Sequence, residues 1–368
     1  MKKKIHLKEQ MLPVPKNSGF RMEGYWIWCG SVAKGEDQRY HMFASRWPKS
    51  QPMHPGWLLE SEIVRAVSVS GRPEGPYQYE ETVFPARGPQ YWDGRMTHNP
   101  HIMKRGNQWI LYYTGSTHPF ADLNGEEHLQ LEDPRVIVAR ANKRVGIAVA
   151  ERIDGPWKRF DAPVLPVRPN SFDSLLTSNP APCFAGGQAD HNSPESEDNG
   201  GVLLMYKYRS YKEPPYTGLL HSAMKLSVAW ADAAEGPYER DAGTALFPEN
   251  VELEDPFIWR EDNGAESRYI MIAKDMHGNV CGEKYGGVYA YSKDGRSWEL
   301  QYGELAYSRK VQWDNGKEEL MGNMERPFIL FEDRKATCIF FAVSNGTDSF
   351  RDATETWNMA IPLKSHIV

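Results

Sequence analysis

The chain has 368 residues, of which 40% are hydrophobic and 25% charged, and its formal net charge is −6. This composition is ordinary for a globular protein, and it argues against a nucleic-acid partner, because no clustered positive surface is indicated beyond the N-terminal "MKKK". No run of about 18 apolar residues predicts a membrane span, and the N-terminus lacks the apolar core of a signal peptide. The sequence as written therefore predicts a cytoplasmic protein, or a periplasmic or secreted one if a leader is removed.

The predicted elements begin with four short strands. The stretches "WIWCGSVA", "RYHMFASRW", "SEIVRAVSVS" and "PEGPYQYEE" follow one another from Trp26 to Glu81. Each is rich in β-branched and aromatic residues, as strands are, and almost no helical periodicity interrupts them. The first 90 residues therefore read as one four-stranded unit.

Four further units follow, and each begins at a proline. Pro100, Pro180, Pro256 and Pro327 recur at intervals of 80, 76 and 71 residues, and each precedes a short apolar run. Proline is tolerated at the first residue of a strand. Two more apolar runs follow every proline, and turns such as "IDGPW", "AEGPY" and "KDGRSW" lead to a fourth strand in three of the units.

Four-stranded units at a regular period are typical of propeller blades. We predict an all-β fold, a single five-bladed β-propeller over residues 1–368, with antiparallel blades at about 20–88, 89–168, 169–248, 249–311 and 312–368 around a central channel. The last unit lacks an outer strand, which the N-terminal segment near Ile5–Leu7 is expected to supply. Two β-sandwich domains are the alternative, and the even spacing without a linker disfavours them.

One phrase occurs twice. "YWDGRMTHNP" (91–100) returns as "SFDSLLTSNP" (171–180), so Asp93 and Asp173 hold equivalent places. A carboxylate in a repeated loop commonly accepts backbone N–H bonds. Asp93, however, is accompanied by Arg95 and His98, where the second copy has uncharged residues. A structural and a catalytic role both stay open for Asp93.

Residues at the starts of the innermost strands converge at one mouth of a propeller. Two of those places carry carboxylates, in "EDP" (254–256) and "ERP" (325–327). Glycoside hydrolysis needs one carboxylic acid to protonate the leaving oxygen and a second carboxylate to activate water or attack the anomeric carbon. Crowded carboxylates raise one another's pKa, which keeps an acid protonated. The pattern therefore indicates a glycosidase.

The whole repeat pattern resembles the five-bladed propeller glycoside hydrolases, the superfamily that holds families 43, 32 and 117. "EDP" is similar to the invertase-type "RDP", which implies that Asp255 orients sugar hydroxyls at the transition state. "ERP" is similar to the invertase-type "ECP" and to the "E-G-P" of the arabinanase group, which implies that Glu325 is the general acid. The arrangement looks closest to family 117, although Met324 stands where that family has a histidine. Families 43 and 117 imply inversion, and the loop-rich rims suggest exo action on an oligosaccharide.

The resemblance also implies an aspartate on the first inner strand, where this chain has Cys29 in "WIWCGSV". A buried structural thiol is the commoner role for such a cysteine, and no histidine stands beside it in sequence to activate it. The catalytic base is then expected elsewhere, with Asp93 first and Glu23 of "RMEGYW" second. The predicted catalytic residues are Glu325, Asp255 and Asp93.

A further set of residues is predicted to bind the substrate, because its members lie at strand starts, inside strands or in aromatic-rich stretches. Trp28 is a candidate for stacking on a sugar face, with core packing as the alternative. A lysine inside a strand, as at Lys207 and Lys274, needs a carboxylate or a sugar hydroxyl. The predicted substrate-binding residues are Glu23, Trp28, Arg46, His98, Asn99, Asn179, Lys207, Lys274 and His277.

No Cys-x-x-Cys pair and no histidine cluster at zinc spacing indicates a metal site. No cofactor is expected, although a divalent cation or a water in the channel stays open. The expected partner is an oligosaccharide, with no nucleic acid and no membrane, and a homo-oligomer is left open. The runner-up function is a non-catalytic carbohydrate-binding propeller, which the missing first-blade aspartate favours.

Overall fold

The computed structural model describes residues 6–124, 129–185, 200–211, 222–240, 245–262 and 267–364. These residues confirm the predicted all-β fold, a five-bladed propeller. Within each blade the strands are antiparallel and follow chain order from the centre outward. The first strands of neighbouring blades contact one another around the axis.

The strands are grouped by blade as follows. The first blade contains β1 (Tyr25–Lys34), β2 (Tyr40–Pro48), β3 (Glu62–Ser68) and β4 (Tyr77–Phe84). The second contains β5 (Met96–Arg105), β6 (Gln108–Ser116), β7 (Arg144–Ala150) and β8 (Lys158–Arg159). The third contains β9 (Leu176–Phe184), β10 (Val202–Arg209), β11 (Lys225–Ala231) and β12 (Glu239–Arg240). The fourth contains β13 (Leu253–Asp262), β14 (Ser267–Asp275), β15 (Gly287–Ser292) and β16 (Glu299–Leu300). A hairpin of β17 (Lys310–Gln312) and β18 (Glu318–Leu320) precedes the fifth blade, which contains β19 (Asn323–Glu332), β20 (Lys335–Ser344) and β21 (Thr356–Pro362).

The N-terminal segment covers the outer edge of the fifth blade. Leu12 N–H donates to the Pro362 carbonyl, and Lys364 N–H donates to the Gln10 carbonyl, each at 2.9 Å. The predicted segment near Ile5–Leu7 does not make this contact: Leu7 opens the short helix α1 (Leu7–Gln10), and Ile5 lies outside the described residues. Pairing with the fifth blade starts at Gln10, the last residue of that helix.

Apolar and aromatic side chains fill the space between blades. Trp109, Tyr113, Phe257 and Tyr307 are among the fully buried side chains, and each belongs to a cluster shared by several blades. Burying a side chain of this size stabilises the fold by roughly 1.5–3 kcal/mol. Much of the chain's heavy aromatic content is thus structural.

Two helices lie beside one mouth of the channel. Helix α2 (Met53–Glu60) is inserted between β2 and β3, and helix α3 (Pro134–Ala141) is inserted between β6 and β7. They pack on each other through Leu58, Val136 and Ala139. The two helices together form one part of the rim of the channel mouth. Among the described residues, no helix has the length and apolar character needed to cross a membrane.

Candidate functional site

Each of the five inner strands carries a left-handed residue at the same place. The backbone φ angles are 54° at Cys29, 56° at Asn99, 53° at Asn179, 57° at Asp255 and 54° at Arg326. Every one lies at a break in strand register, as expected for a β-bulge, which turns its side chain out of the ladder. A left-handed non-glycine residue costs about 1–3 kcal/mol, and such strain collects at functional sites.

These five side chains form a ring around the channel. The Cys29 thiol donates to Asn99 Oδ1 (2.8 Å), and Asn99 Nδ2 donates to Asn179 Oδ1 (2.9 Å). Asn179 Nδ2 in turn donates to Asp255 Oδ1 (2.5 Å), which lies 3.6 Å from Arg326 Nη1. The ring therefore fixes the direction of the Asp255 carboxylate.

Aromatic side chains close the channel behind this ring. The ring of His101 stacks on Phe257 with centroids 5.7 Å apart and meets the edge of Phe328 at 5.2 Å, and all three are buried. The two phenylalanines contact each other at 5.4 Å. The space on the other side of the ring is therefore a blind pocket.

That pocket is a cavity of about 330 Å³ at the channel mouth, large enough for a small ligand. Its floor contains ring residues, and its walls come from all five blades and both mouth helices. The residues that line it are Trp28, Trp47, Met53, His54, Trp57, His98, Asn99, Arg140, Lys143, Leu176, Asn179, Lys207, Arg209, Met224, Glu254, Asp255, Lys274, Met276, Lys284, Tyr285, Glu325, Arg326, Asp348, Ser349, Phe350 and Arg351.

Three carboxylates crowd around two lysines in this cavity. Glu254 accepts from Lys207 Nζ at 2.5 Å and from Lys274 Nζ at 2.7 Å. The same Lys274 ammonium lies 2.8 Å from Glu325 Oε1 and 3.7 Å from Asp255 Oδ2. Lys274 thus links all three carboxylates through one atom.

The surroundings drive the pKa values of two of these carboxyls apart. Burial raises the pKa of Glu325, and the nearby Asp255 and Glu254 charges add to this while Lys274 opposes it. Burial also disfavours ionisation of Glu254, but the charges and hydrogen bonds of Lys207 and Lys274 outweigh it and hold that pKa well below its usual range. Two carboxyls with divergent pKa values are the arrangement that acid–base chemistry requires.

An aromatic wall faces the carboxylates. The Trp57 ring of α2 stacks on His98 with centroids 4.7 Å apart, and Trp57 Nε1 donates to His54 Nδ1 at 2.9 Å. Burial, reinforced by the Arg326, Lys143 and Lys207 charges, holds the pKa of His98 well below its usual value, so its imidazole is neutral. Flat aromatic surfaces beside polar groups suit the apolar faces of sugar rings.

The structure places a histidine near Cys29 that sequence order does not reveal. His98 Nε2 is 3.6 Å from the Cys29 sulfur. The thiol is only 2% exposed, does not line the cavity, and has a pKa raised by burial. A thiol in that state is a poor nucleophile, which agrees with the structural role expected for it.

The expectation that Asp93 serves as the catalytic base is corrected by its position. Asp93 does not line the cavity and is fully buried in the second blade. Arg87 Nε donates to it at 2.7 Å, the Tyr113 hydroxyl donates at 2.8 Å, and Arg159 lies 3.4 Å away. Its oxygens are fully occupied, so it has no access to a substrate.

The twin carboxylate has the same surroundings. Asp173 accepts from Arg168 at 2.9 Å, from Arg240 at 2.8 Å and from the Tyr206 hydroxyl at 3.0 Å. The threonine of each phrase bonds the preceding blade; Thr177 Oγ1, for example, donates to the Leu165 carbonyl at 2.6 Å. The repeated phrase therefore ties neighbouring strands together in both blades.

Three of the predicted substrate-binding residues also lie outside the cavity. Glu23 is exposed in a turn and lines none of the described pockets. Arg46 donates to Glu62 at 2.8 Å and sits between two tyrosine rings, so it is structural. His277 pairs with Glu252 at 2.9 Å and its side chain is 53% exposed. Because each is engaged or turned outward, the structure does not bring it to the site.

The cavity does bring together most of the other candidates. They share a position at the bulges or on the second strands, where side chains point to the axis: Trp28, His98, Asn99, Asn179, Lys207, Asp255, Lys274 and Glu325. Glu254 stands in the quoted "EDP" but was not assigned a role. The sequence reasoning does not find Arg140 and Lys143, although Asp133–Pro134 is a helix-start signal and Asp133 does cap α3.

No cluster of three or more His, Cys, Asp or Glu side chains that could hold a metal occurs within the described ranges. The cationic side chains Lys207, Lys274 and Arg326 occupy the carboxylate oxygens at which a divalent ion would bind. The geometry of this part of the chain therefore gives no donor set for a metal centre.

No protein-family model matches the chain, and no curated protein matches it by sequence. Solved structures do match over nearly the whole chain. A structure described as a glycoside hydrolase superposes with a TM-score of 0.60 at 12% identity, covering 98% of this chain and 92% of its own. Zg3597, a family 117 glycoside hydrolase from Zobellia galactanivorans, gives 0.56 at 15%, covering 100% and 94%. A thermostable family-43 glycoside hydrolase gives 0.56 at 12%, covering 96% and 92%. The chain thus has the fold of these glycoside hydrolase propellers.

Proposed function

We propose that this protein is a glycoside hydrolase whose reaction takes place in the cavity at the channel mouth. The observation that carries the proposal is the carboxylate cluster: Glu325 and Asp255 are buried in one cavity on either side of the Lys274 ammonium, at 2.8 and 3.7 Å, and the pKa of Glu325 is raised. The fold shared with glycoside hydrolase propellers supports it.

Glu325 is the general acid in this proposal. Its raised pKa favours the protonated form, from which it can give a proton to the oxygen of the leaving sugar. Asn323 Nδ2 at 2.6 Å and Lys274 Nζ at 2.8 Å contact Glu325 Oε1, which leaves Oε2 to carry the proton toward the substrate.

Asp255 is the second carboxylate, and we assign to it both the orientation of substrate and the activation of water. Glu254 is unsuited to that second task because two ammonium groups hold it in the ionised form and lower its basicity. Asp348, on the rim, has a 66% exposed side chain and pairs with Arg351. Asp255 is buried and its direction is set by Asn179, and the nearest cationic atom in its ion pairs among the described residues, Arg326 Nη1, is 3.6 Å away.

Exo action and inversion are the finer parts of the proposal. The aromatic closure behind the ring makes the cavity a dead end, which suits the terminus of a chain better than its middle. Inversion is what the resemblance to families 43 and 117 implies. Proton NMR of the first product anomer formed would decide it, since inversion and retention give opposite anomers.

The test is product release from a panel of plant and algal oligosaccharides by the wild-type protein and by Glu325→Gln. We expect wild type to release a mono- or disaccharide from the end of one substrate class, and Glu325→Gln to release none at the same enzyme concentration. Equal activity of both proteins would remove Glu325 as the acid.

The second candidate is a carbohydrate-binding propeller without catalysis, which the cysteine at position 29 favours because the first inner strand supplies no carboxylate. It predicts saturable binding of a saccharide by wild type with no product after long incubation. Asp255→Asn separates the two functions, because it should abolish hydrolysis while leaving a neutral hydrogen-bonding side chain in the ring.

A further inference from the structure

The cavity is far more basic than the protein that surrounds it. Its lining contains eight lysines and arginines but four aspartates and glutamates, although the whole chain has a net charge of −6. His54 adds no charge, since burial and nearby cations lower its pKa to about 3. A saccharide made only of neutral sugars has no group that such an excess of positive charge would recognise.

The cations of the cavity are not all paired with its carboxylates. Lys207 and Lys274 are ion-paired with Glu254, and Arg326 lies against Asp255. Another part of the lining is built by the end of α3, the residues after it and the end of β10. We define Arg140, Lys143 and Arg209 there as the basic wall.

Lys143 is the central residue of the basic wall. Its side chain is only 4% exposed, yet it lines the cavity. Among the described residues, its ammonium has no hydrogen-bond acceptor and no ion pair; it lies over the face of Trp57, 5.0 Å from the ring centroid. Arg140, which precedes it in the last turn of α3, likewise has no ion pair or side-chain hydrogen bond within the described part of the chain.

Burying an ammonium without an anion is costly, and like charges nearby increase the cost. Burial and the charges of Lys207, Arg140 and Arg209 hold the pKa of Lys143 well below its usual value, and Glu254 offsets this only in part. Burial and the Arg209 charge likewise lower the pKa of Arg140. A ligand that brings a negative charge would relieve both groups.

We propose that the basic wall binds an anionic group of the substrate, so that the saccharide handled in this cavity is an acidic one. The inference rests on the proposed function and names its substrate class. The group is an oxyanion, either the carboxylate of a uronic acid or a sulfate ester. Trp57 packs against Lys143 and His98 and so holds the basic wall in place, which would seat the charged unit beside α2 and α3 while the scissile bond reaches Glu325.

The experiment measures binding by calorimetry on Glu325→Gln protein, so that it does not depend on turnover. The probes come in matched pairs: trigalacturonate with its carboxyl-reduced form, and a 4-sulfated galactan disaccharide with its desulfated form. We expect at least one acidic probe to bind ten-fold or more tightly than its neutral partner. A uronate preference identifies the carboxylate as the source of the charge, and a sulfate preference identifies the ester.

Two substitutions locate the effect. Lys143→Met and Arg140→Gln, each added to Glu325→Gln, should each reduce affinity for the acidic probe about ten-fold and leave the neutral partner within two-fold. Lys310→Met is the matched control, since it removes one exposed positive charge from β17, outside the cavity, and should change neither. Without ligand, Lys143→Met should keep or raise the melting temperature, because it removes an uncompensated buried charge.

Equal or weaker binding of both acidic probes compared with their neutral partners overturns the inference, and so does an acid preference that survives both substitutions. Hydrolysis is measured in a separate assay, on protein that keeps Glu325 and carries only the basic-wall substitution. Turnover of a neutral substrate that Lys143→Met does not change keeps the glycosidase and removes the anionic subsite. Lys143-dependent binding of an acidic probe without any turnover keeps the subsite and removes the glycosidase.

Discussion

Two buried groups of charged residues in this propeller differ in what their carboxylates face. Around Asp93, two arginines and a tyrosine occupy both carboxylate oxygens, and no described cavity reaches them. At the channel mouth, three carboxylates share two lysines and one arginine, and they line an open cavity. Burial and pairing are common to both, so neither property marks a catalytic carboxylate. Crowding of like charges beside free space is what distinguishes the carboxylates to which we assign catalysis.

The largest loss of activity is expected when the carboxyl group of Glu325 is removed, and this substitution tests the comparison most directly. We expect Glu325→Gln to lower kcat by roughly 10²–10⁴-fold, the contribution of a general acid, with little change in melting temperature because Lys274 keeps its pair with Glu254. Steady-state kinetics on the substrate found by the panel, with thermal denaturation alongside, measures both. Glu261→Gln on the neighbouring fourth blade is the control, as Glu261 pairs with Arg268 away from the cavity. A variant with wild-type kcat would place the acid elsewhere.

Neutralising Asp93 should give the opposite result. Asp93→Asn takes the charge from a fully buried carboxylate that two partly buried arginines share, so we expect about 3–5 kcal/mol less free energy of unfolding and a kcat within about two-fold wherever the protein is folded. Urea denaturation and kinetics at low temperature test this. Asp173→Asn should lose a similar amount, because Asp173 has the same set of partners. Loss of kcat with stability intact would restore Asp93 as a catalytic residue.

The pH dependence of the reaction sharpens the comparison further. Because burial, together with Asp255 and Glu254, raises the pKa of Glu325, the acid stays protonated to a higher pH than an ordinary glutamate. The value of kcat/KM should therefore hold at lower pH and fall as the pH rises through that pKa. Lys274 opposes the shift, so Lys274→Met should move this alkaline limb to higher pH. A limb that stays in place, or moves to lower pH, would show that Glu325 does not set it.

The ring and the carboxylate cluster could be predicted from the sequence because they follow from its repeats. Asn99, Asn179, Asp255 and Arg326 each precede a proline at the same point of a repeated unit, and the same bulge forms at each. Equivalent residues of a closed ring of blades must meet at its axis. A repeat detected in the sequence therefore predicts which residues converge, without any knowledge of pairwise contacts.

The basic wall and the surroundings of Asp93 could not be predicted from the sequence. Arg140 and Lys143 reach the cavity only because α3 packs on α2, which comes from another blade. That contact between two inserted helices is not part of the repeated sequence pattern, so the pattern does not predict it. Near Asp93, the charged neighbour Arg95 pairs with Asp122 instead of a substrate. Only His98, five residues on, lines the cavity. Proximity in sequence does not fix the direction in which a loop side chain points.

The smallest effect is expected at Cys29, which stands where the resemblance implies a carboxylate. A serine hydroxyl can replace the thiol as the donor to Asn99, so Cys29→Ser should keep kcat within about two-fold of wild type.

Alkylation tests the same residue in the native protein. The Cys29 thiol is buried and its pKa is raised by that burial, so iodoacetamide should leave both the residue and the activity unchanged, as mass spectrometry and an activity assay of the treated protein can show. Inactivation that tracks alkylation of Cys29 would make His98, 3.6 Å from the sulfur, its base and would move the chemistry from the carboxylates to the thiol. Retained activity in Cys29→Ser would instead mean that the first inner strand contributes only ring geometry, and that the carboxylates of the fourth and fifth blades carry the reaction.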